Sequence, residues 1–190
     1  MGTKLISIGI DVGSANGAMA IVDGNLNTIY VAKVPTYQTE LKYKKNKRKL
    51  NKDTGKFEVN YRKRTWVDFK AFRDILEPYV KNNIIYTIEK ISPRPGEAEA
   101  PSFMNGNALG IFQGLYTYLN PIDFYNPTPM EWKKDIGVTS DKSTSNKLAE
   151  DIFQIKLKDY VEKGKTDDIA EALLLSFYGL RQYYIKKGEI

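Results

Sequence analysis

The sequence predicts an α/β fold in which a mixed five-stranded sheet is flanked by helices. Three short apolar runs joined by tight turns open the chain, at residues 4–11, 18–22 and 28–34, and such a series forms an antiparallel meander. Two later strand-like runs are separated by helix-like segments, which favours parallel strands joined by helices. We expect a single domain spanning residues 1–190, with a basic insertion at about 36–65.

Capping residues and apolar runs predict the later elements. Thr65 is expected to cap a helix with Asp68 at the capping-box position, and Thr128 to cap another with Glu131 three residues on. Prolines at 93, 95 and 101 indicate a loop. The expected elements after the insertion are a helix to about residue 80, a central strand at 84–91, a helix at about 102–119, a short strand at 122–125, a brief helix from 128, a helix from 141 to about 157 and a helix from 166 to about 186.

The 190 residues include no cysteine and no histidine. Disulfides, thiolate metal sites, cysteine nucleophiles, Ser-His-Asp triads and histidine-ligated zinc are therefore excluded. An enzyme of this composition works with carboxylates, lysines, hydroxyls and an imported metal. Residues 1–10 lack the pattern of a signal peptide, and the apolar run at 169–180 contains Glu171 and is too short for a bilayer. We expect a soluble cytoplasmic protein with no membrane partner and no small-molecule cofactor.

Positive charge is concentrated in one segment of the chain. Residues 42–64 contain eleven Lys/Arg and two acids, a net charge of +9, whereas the rest carries 18 basic and 21 acidic residues, a net charge of −3. Aromatic residues are interleaved with this charge, and Asp53-Thr-Gly55 indicates a turn between two arms. Lysine and arginine neutralise phosphates, so the segment is expected to bind a nucleic-acid backbone, with a solvated loop as the alternative. The candidate DNA-binding residues of this segment are Lys42, Lys44, Lys45, Lys47, Arg48, Lys49, Arg62, Lys63 and Arg64.

Acidic residues stand at the ends of predicted elements. Asp11 ends the first strand, and Glu89 lies near the end of the central strand. In the last helix, a spacing of three or four residues puts Glu171 on one face with either Asp168 or Asp167. Carboxylates that meet in this way repel and raise each other's pKa. Oxygen-only ligation suits Mg²⁺ or Mn²⁺, and two such ions would activate water and stabilise the leaving oxygen in phosphodiester cleavage.

Each acidic group also has a simpler interpretation. Asp11-Val-Gly-Ser is similar to the phosphate loop of actin-like ATPases. Glu89 could lie on the exposed face of a half-buried strand. Asp167 and Asp168 could simply favour the positive end of the helix dipole.

Three glycines, Gly106, Gly110 and Gly114, recur every four residues in the helix predicted at about 102–119. This spacing clears one helical face for close backbone approach. We expect that face to pack tightly against the sheet or against a dimer partner, and direct approach to a DNA strand is the alternative.

Four sequence blocks together resemble the motifs of RuvC-type Holliday junction resolvases, in particular the RuvC-like resolvases of lactococcal bacteriophages. The blocks are IGIDVGSANGAMAIVD, YTIEKISPRPGEAEA, PMEWKKDIGVTSDKS and KTDDIAEALLLS, in this order along nearly the whole chain. The resemblance implies an RNase H-like fold, a homodimer and a crossover junction endodeoxyribonuclease. Such an enzyme uses two Mg²⁺ ions, for which Mn²⁺ substitutes, to nick four-way DNA junctions and leave 5′-phosphate and 3′-hydroxyl ends.

The resemblance also implies roles for individual acids. Asp11 matches the first-strand aspartate that bridges two metal ions, and Glu89 matches the central-strand glutamate. Asp168 and Glu171 match the acidic pair of the last helix, although Glu171 stands where the bacterial enzymes have an aspartate. The choice between Asp167 and Asp168 stays open.

Lysines near these acids are candidates by the same resemblance. Lys133 and Lys142 fall where the family has basic residues important for junction cleavage, and Lys134 competes with Lys133 for that role. A lysine there could hold the scissile phosphate electrostatically. The alternative is a surface lysine at a helix end.

Two departures from the family pattern affect the expected substrate. The basic insertion is longer than in bacterial members, and Ser92 stands where some relatives place a DNA-inserting aromatic residue. Both motivate activity on other branched DNA, such as forks and flaps. Two other functions stay open, a non-catalytic branched-DNA-binding protein and an actin-like ATPase, although an ATPase needs two related halves that 190 residues do not offer.

Overall fold

The computed structural model describes most of the chain in seven segments. These are residues 3–13, 17–42, 50–55, 61–92, 99–139, 141–161 and 166–190. The strands are β1 Leu5–Asp11, β2 Ala18–Asp23, β3 Thr28–Lys33, β4 Thr36–Lys42, β5 Tyr61–Val67, β6 Asn83–Ile88 and β7 Asp123–Tyr125. The α-helices are α1 Phe69–Leu76, α2 Glu99–Leu119, α3 Pro129–Asp135, α4 Lys142–Phe153 and α5 Asp167–Lys187, with 3₁₀ turns at Glu77–Tyr79 and Leu157–Tyr160.

Five strands form one mixed sheet in the order β3-β2-β1-β6-β7. The first three strands pair antiparallel, whereas β1 pairs parallel with β6 and β6 with β7. The central strands β1 and β6 are apolar along most of their length because both faces of the sheet are covered. The predicted fold class, a mixed sheet of antiparallel meander and parallel strands flanked by helices, is confirmed.

The two faces of the sheet bury two separate cores, and strand alternation assigns each residue to one of them. In β1, Ile6, Ile8 and Ile10 belong to the core shared with α1 and α2. The intervening positions face α5, whose apolar residues fill the other core together with residues of α3 and α4. Asp11 is the next residue on the α5 side of β1, so the pleat itself directs the predicted carboxylate toward the last helix.

Helix α5 lies unusually close to the sheet. A Cβ atom on Gly9 would stand 2.2 Å from the carbonyl oxygen of Ala172, and one on Gly179 would stand 2.2 Å from the hydroxyl of Thr87. The hydroxyl of Ser7 also donates to the carbonyl oxygen of Ser176 at 2.8 Å. Only glycines allow this backbone approach, which fixes the first turns of α5 against the carboxyl end of β1.

The basic insertion forms a two-stranded antiparallel ribbon of β4 and β5, separate from the main sheet. A turn at residues 52–54 ends at Gly55, whose φ of +63° and N–H bond to the carbonyl oxygen of Asn51 at 2.9 Å fit the predicted turn between two arms. Residues 43–49 and 56–60 lie outside the described part of the chain. We call β4, β5 and the residues between them the basic ribbon.

The helix predicted from Thr65 begins later than expected. Thr65 pairs with Gln38 inside β5, and the N-cap is Asp68, whose side chain accepts from the backbone N–H of Ala71 at 3.0 Å. The pairing of β4 with β5 continues to Val67 and overrides the local capping pattern of Thr65. The capping box of Thr128 and Glu131 is confirmed at the start of α3, whereas α4 ends at Phe153, earlier than predicted.

The prediction that three glycines pack α2 tightly against the sheet is wrong. A Cβ atom on Gly106, Gly110 or Gly114 would meet no atom within 4 Å. The buried side of α2 is formed instead by Ala108, Phe112, Leu115 and Leu119. The glycine face therefore points away from the core of the chain. Among the described residues, no helix is both long and apolar enough to cross a membrane.

Candidate active site

Asp11 and Glu89 lie side by side at the carboxyl ends of two central strands. These strands, β1 and β6, are parallel neighbours, so both end on the same side of the sheet, which we call the acidic edge. The backbone N–H of Glu89 donates to the carbonyl oxygen of Ile10 at 3.0 Å, which extends the β1–β6 pairing by one residue. Each acid is only 8% exposed. Glu89 is therefore buried, and the alternative that it lies on an exposed strand face is wrong.

Helix α5 brings two more carboxylates to this edge. The pKa of Asp11 is raised well above its usual range by burial, and further by the negative charges of Glu89, Glu171 and Asp168. Glu89, Asp168 and Glu171 thus act electrostatically on Asp11, and we call these four residues the acidic cluster. The cluster concentrates negative charge in a largely water-excluded place, which is unfavourable without nearby cations.

Asp167 makes a different contact from that of its neighbour. Its carboxylate accepts a hydrogen bond from the side-chain amide of Asn146 in α4 at 3.1 Å. Asp168, one residue later, contributes to the raised pKa of Asp11, whereas Asp167 is not among the causes of that shift. Asp168 therefore acts electrostatically on Asp11, and Asp167 contacts α4.

Two lysines neutralise part of the cluster. The ammonium group of Lys133 donates to Glu171 Oε1 at 2.7 Å, and both side chains are mostly buried. The ammonium group of Lys33, at the end of β3, contacts Asp168 Oδ2. The positive charge of Lys33 also lowers the pKa of Asp11 and so opposes the effect of burial.

Trp132 holds Glu89 in place from α3. Its ring is fully buried, and the indole Nε1–H donates to Glu89 Oε1 at 2.9 Å. The ammonium group of the next residue, Lys133, lies 5.1 Å from the centroid of the Trp132 ring. One short helix, started by a Pro at its first turn and a capping box, thereby supplies a donor to each of two acids.

The remaining predicted residues are placed as follows. Lys134 is exposed at the end of α3, and Lys142 is the first residue of α4, with its side chain outside the described part of the structure. On the basic ribbon, Lys42 and Lys63 are exposed and share one face, whereas Arg64 is partly buried. Lys44, Lys45, Lys47, Arg48 and Lys49 lie outside the described residues, as does the side chain of Arg62.

The donor chemistry of the acidic cluster fits a hard divalent cation. All four acids offer carboxylate oxygens, the ligands that Mg²⁺ and Mn²⁺ take. The pKa of Asp11 is raised first by burial and then by the charges of the other three acids, and the positive charge of Lys33 opposes this. Within the described ranges, no three acidic side chains are grouped so as to hold a metal ion. In the structure, Asp168 and Glu171 are paired with lysines.

Sequence reasoning missed three residues that contact these acids: Lys33, Trp132 and Asn146. For Lys33 the strand pairing could not be counted from the predicted turns. Asp11 pairs with Ala18, and Ala18 pairs with Lys33, so the three residues form one row across β1, β2 and β3. The register of β2 and β3 shifts by one residue between Ile21 and Val22, so counting back from the turn would have placed Ala32 opposite Ala18. For Trp132 and Asn146, no local pattern indicates which acid they would meet.

Comparison with known proteins shows what the fold is similar to. No family model and no curated protein matches the sequence. Among solved structures, Thermus thermophilus RuvC in complex with a Holliday junction substrate is similar, with a TM-score of 0.56, 12% identity and 97% of both chains covered. The yeast mitochondrial Holliday junction resolvase has a TM-score of 0.50 and 15% identity, over 96% of this chain and 81% of the other. The predicted RNase H-like fold of the RuvC type is thereby confirmed.

Proposed function

We propose that the protein is a metal-dependent endonuclease that nicks Holliday junction DNA. The proposal is supported by Asp11 and Glu89, which end adjacent strands of a RuvC-like sheet, and by the negative charges of Asp168 and Glu171, which act on Asp11. Four clustered carboxylates that are buried or half-buried lower the stability of the fold, so their presence indicates a functional role. Cation-assisted phosphodiester cleavage is the chemistry for which oxygen-only donors and flanking lysines are suited.

In this proposal the reaction is hydrolysis of one phosphodiester bond. A water oxygen bonds to phosphorus, the bond from phosphorus to the 3′ oxygen breaks, and the 3′ oxygen takes up a proton, which leaves 5′-phosphate and 3′-hydroxyl ends. Two Mg²⁺ ions, replaceable by Mn²⁺, would supply activation of the water and charge stabilisation on the leaving oxygen. The acidic cluster is proposed to hold these ions, with Asp168 rather than Asp167 as the ligand from the start of α5.

Other groups of the chain are proposed to bind the DNA. Lys133 lies within the cluster and is suited to contact the scissile phosphate, with Lys142 at the start of α4 as a second cation and Lys134 on the nearby surface. The basic ribbon is proposed to hold junction arms through phosphate contacts. A homodimer would present two such sites to the two paired strands of one junction.

Finer features of the proposal rest on the sequence blocks and the composition. These are a relationship to lactococcal phage resolvases, location in the cytoplasm of a bacterial host, and activity on forks and flaps. Sedimentation at micromolar concentration tests the homodimer, with twice the chain mass of 21.7 kDa expected.

A labelled synthetic four-way junction tests the proposed reaction. With Mg²⁺, the wild type is expected to make symmetric nicks near the branch point, and Asp11→Asn to bind the junction without nicking it. A Y-fork and a linear duplex of the same sequence serve as controls, and only the fork is expected to be cut, more slowly. Equal cutting of the linear duplex, or nicks that persist in the variant, would contradict the proposal.

A second function is favoured by the lysine contacts. Because Lys33 and Lys133 already pair with Asp168 and Glu171, the cluster is partly neutralised without any metal. A protein that binds branched DNA without cutting it would use such pairing. Tight, junction-specific binding with no nicks from the wild type under either Mg²⁺ or Mn²⁺ would establish that function instead.

A further inference from the structure

Lys33 is a charged group of the site for which the proposed reaction has no use. It ends β3, an edge strand of the sheet, and its strand register places it in one row with Asp11. Lys133 reaches the acidic cluster from α3, which follows β7 at the opposite edge. One lysine thus approaches the cluster from the β3 end of the strand order and the other from the β7 end. Each lysine contacts a different acid of α5.

The two lysine pairs differ in exposure. The side chains of Lys133 and Glu171 are 25% and 15% exposed, whereas those of Lys33 and Asp168 are 40% and 27% exposed. The Lys33 side chain therefore reaches solvent more than that of Lys133, so its ammonium group can leave Asp168 for water without a charge being buried. Lys133 lacks that freedom because it is held between Glu171 and the ring of Trp132.

A divalent cation and Lys33 compete for the same carboxylate. The Lys33 ammonium group contacts Asp168 Oδ2, one of the two oxygens that this carboxylate can offer to a metal ion. Two cations on one carboxylate repel each other, and this repulsion offsets part of the attraction of each. A metal ion bound by Asp168 would therefore weaken the Lys33 contact, and one bound at Oδ2 would displace it.

We propose that Lys33 is a positioning residue that stands in for the metal, holding Asp168 in the acidic cluster while no divalent ion is bound and giving up that carboxylate when an ion enters. The inference rests on the proposed function, since only that function requires a divalent ion here. Lys33 lowers the cost of four clustered carboxylates in the metal-free protein, and it weakens metal binding by the free energy of the contact that has to be broken.

Lys33→Met tests the inference because it keeps the aliphatic stem and removes the charge. In Mn²⁺ titrations followed by calorimetry, the variant is expected to bind Mn²⁺ about three- to tenfold more tightly than the wild type. In the presence of a chelator, its Tm is expected to fall by about 1–3 °C, since the pair is half-exposed and screened. Saturating Mn²⁺ should close or reverse that difference in Tm.

Two control variants separate this role from a general structural one. Lys33→Arg keeps the charge and is expected to keep the Mn²⁺ affinity of the wild type within about twofold. Lys186→Met breaks an ion pair with Asp123, 2.9 Å long and remote from the acidic cluster, and should leave Mn²⁺ affinity unchanged. A lysine with a purely structural role would lower Tm with and without Mn²⁺ and would not tighten metal binding.

The possible results separate the inference from the proposed function. Tighter Mn²⁺ binding by Lys33→Met alone supports the inference. Unchanged or weaker binding by Lys33→Met, or the same tightening in Lys33→Arg, overturns it while the metal-dependent nuclease stands. A wild type that binds no Mn²⁺ at millimolar concentration, with or without junction DNA, overturns both.

Discussion

At the scale of single residues, the environment of Asp11 strongly disfavours its negative charge. It is buried beside three other carboxylates, and its pKa is raised well above the ordinary aspartate value for both reasons, with burial the larger. Lys33 offsets only part of this. The folded protein therefore loses stability when Asp11 ionises. That stability is recovered when a cation balances the negative charge or a neutral side chain replaces Asp11.

Asp11→Asn should stabilise the metal-free protein, and the gain should grow with pH. Because the folded pKa lies above the unfolded value near 3.8, the stability linked to Asp11 is fully present below that value and is lost as pH rises through the folded pKa. Each pH unit between the two pKa values costs the wild type about 1.4 kcal/mol, whereas asparagine does not titrate. Thermal unfolding in a chelator from about pH 4 to pH 8 measures this. A difference in Tm that does not change with pH would contradict the prediction.

Trp132→Phe should impair the site more than the fold. The substitution removes the indole donor to Glu89 Oε1 and leaves a buried carboxylate without that partner. We expect a loss of about 1–3 kcal/mol in the free energy of unfolding and about a tenfold slower nicking rate at saturating junction, well below Tm. Trp66→Phe is the matched control, because it removes an indole hydrogen bond to Thr39 in the ribbon and touches no acid of the cluster. Equal nicking by the two variants would show that Trp132 does not position Glu89.

At the scale of elements, the contact between α5 and β1 sets the position of half of the acidic cluster. Asp168 and Glu171 belong to the turns of α5 that precede and meet Gly9, where helix and strand backbones almost touch. Any group larger than hydrogen at Gly9 must push the helix outward. The two acids would then move away from Asp11 and Glu89, which are fixed by the sheet.

Gly9→Ala is expected to lower the free energy of unfolding by about 3 kcal/mol or more, because the new methyl group would lie 2.2 Å from a backbone oxygen that cannot yield easily. Chemical denaturation measures this. Gly110→Ala is the matched control in α2, where the methyl group meets open space, and it should raise stability by about 0.5–1 kcal/mol through helix propensity. A Gly9→Ala variant as stable as the wild type would mean that α5 does not lie as close to β1 as described.

The sequence predicted the elements better than their contacts. Apolar runs and capping residues are local, so the five strands of the main sheet and the cap of α3 could be found from spacing alone. Thr65 misled the prediction because ribbon pairing over 25 residues or more overrides a local cap. Lys33 and Trp132 reach the acids across 135 and 43 positions of sequence, and nothing local encodes such a meeting. The apolar run at residues 4–11 and the glycine turn after it did predict correctly that Asp11 would end β1.

At the scale of the whole molecule, opposite charges are kept apart. The basic ribbon is a separate two-stranded sheet, whereas the acidic cluster is enclosed by α3, α5 and the edge of the main sheet. Only two residues separate the end of β3, at Lys33, from the start of β4, at Thr36. The ribbon therefore begins, at Thr36, within about 10 Å of Lys33, which contacts the cluster. DNA held by the ribbon, as proposed, would therefore pass near the acids.

Lys42→Gln with Lys63→Gln should weaken binding to branched and linear DNA alike. Both side chains are exposed on one ribbon face, and loss of two phosphate contacts should make the slope of log K against log salt shallower by about 2. Fluorescence anisotropy at several salt concentrations measures the slope. Lys186→Gln with Lys187→Gln, at the far end of α5, is the matched control with the same loss of charge. An equal change of slope in the control would show that net charge, not the ribbon, governs binding.

The most direct test of the central claim compares Asp168→Asn with Asp167→Asn on a labelled four-way junction in Mg²⁺. The two variants lose one negative charge each, at adjacent positions, yet only Asp168 acts on Asp11, whereas Asp167 contacts Asn146. We predict that Asp168→Asn abolishes the symmetric nicks of the wild type and that Asp167→Asn keeps most of them. Full nicking by Asp168→Asn, or a wild type that binds the junction and never cuts it, would contradict the assignment of the acidic cluster as a nuclease centre.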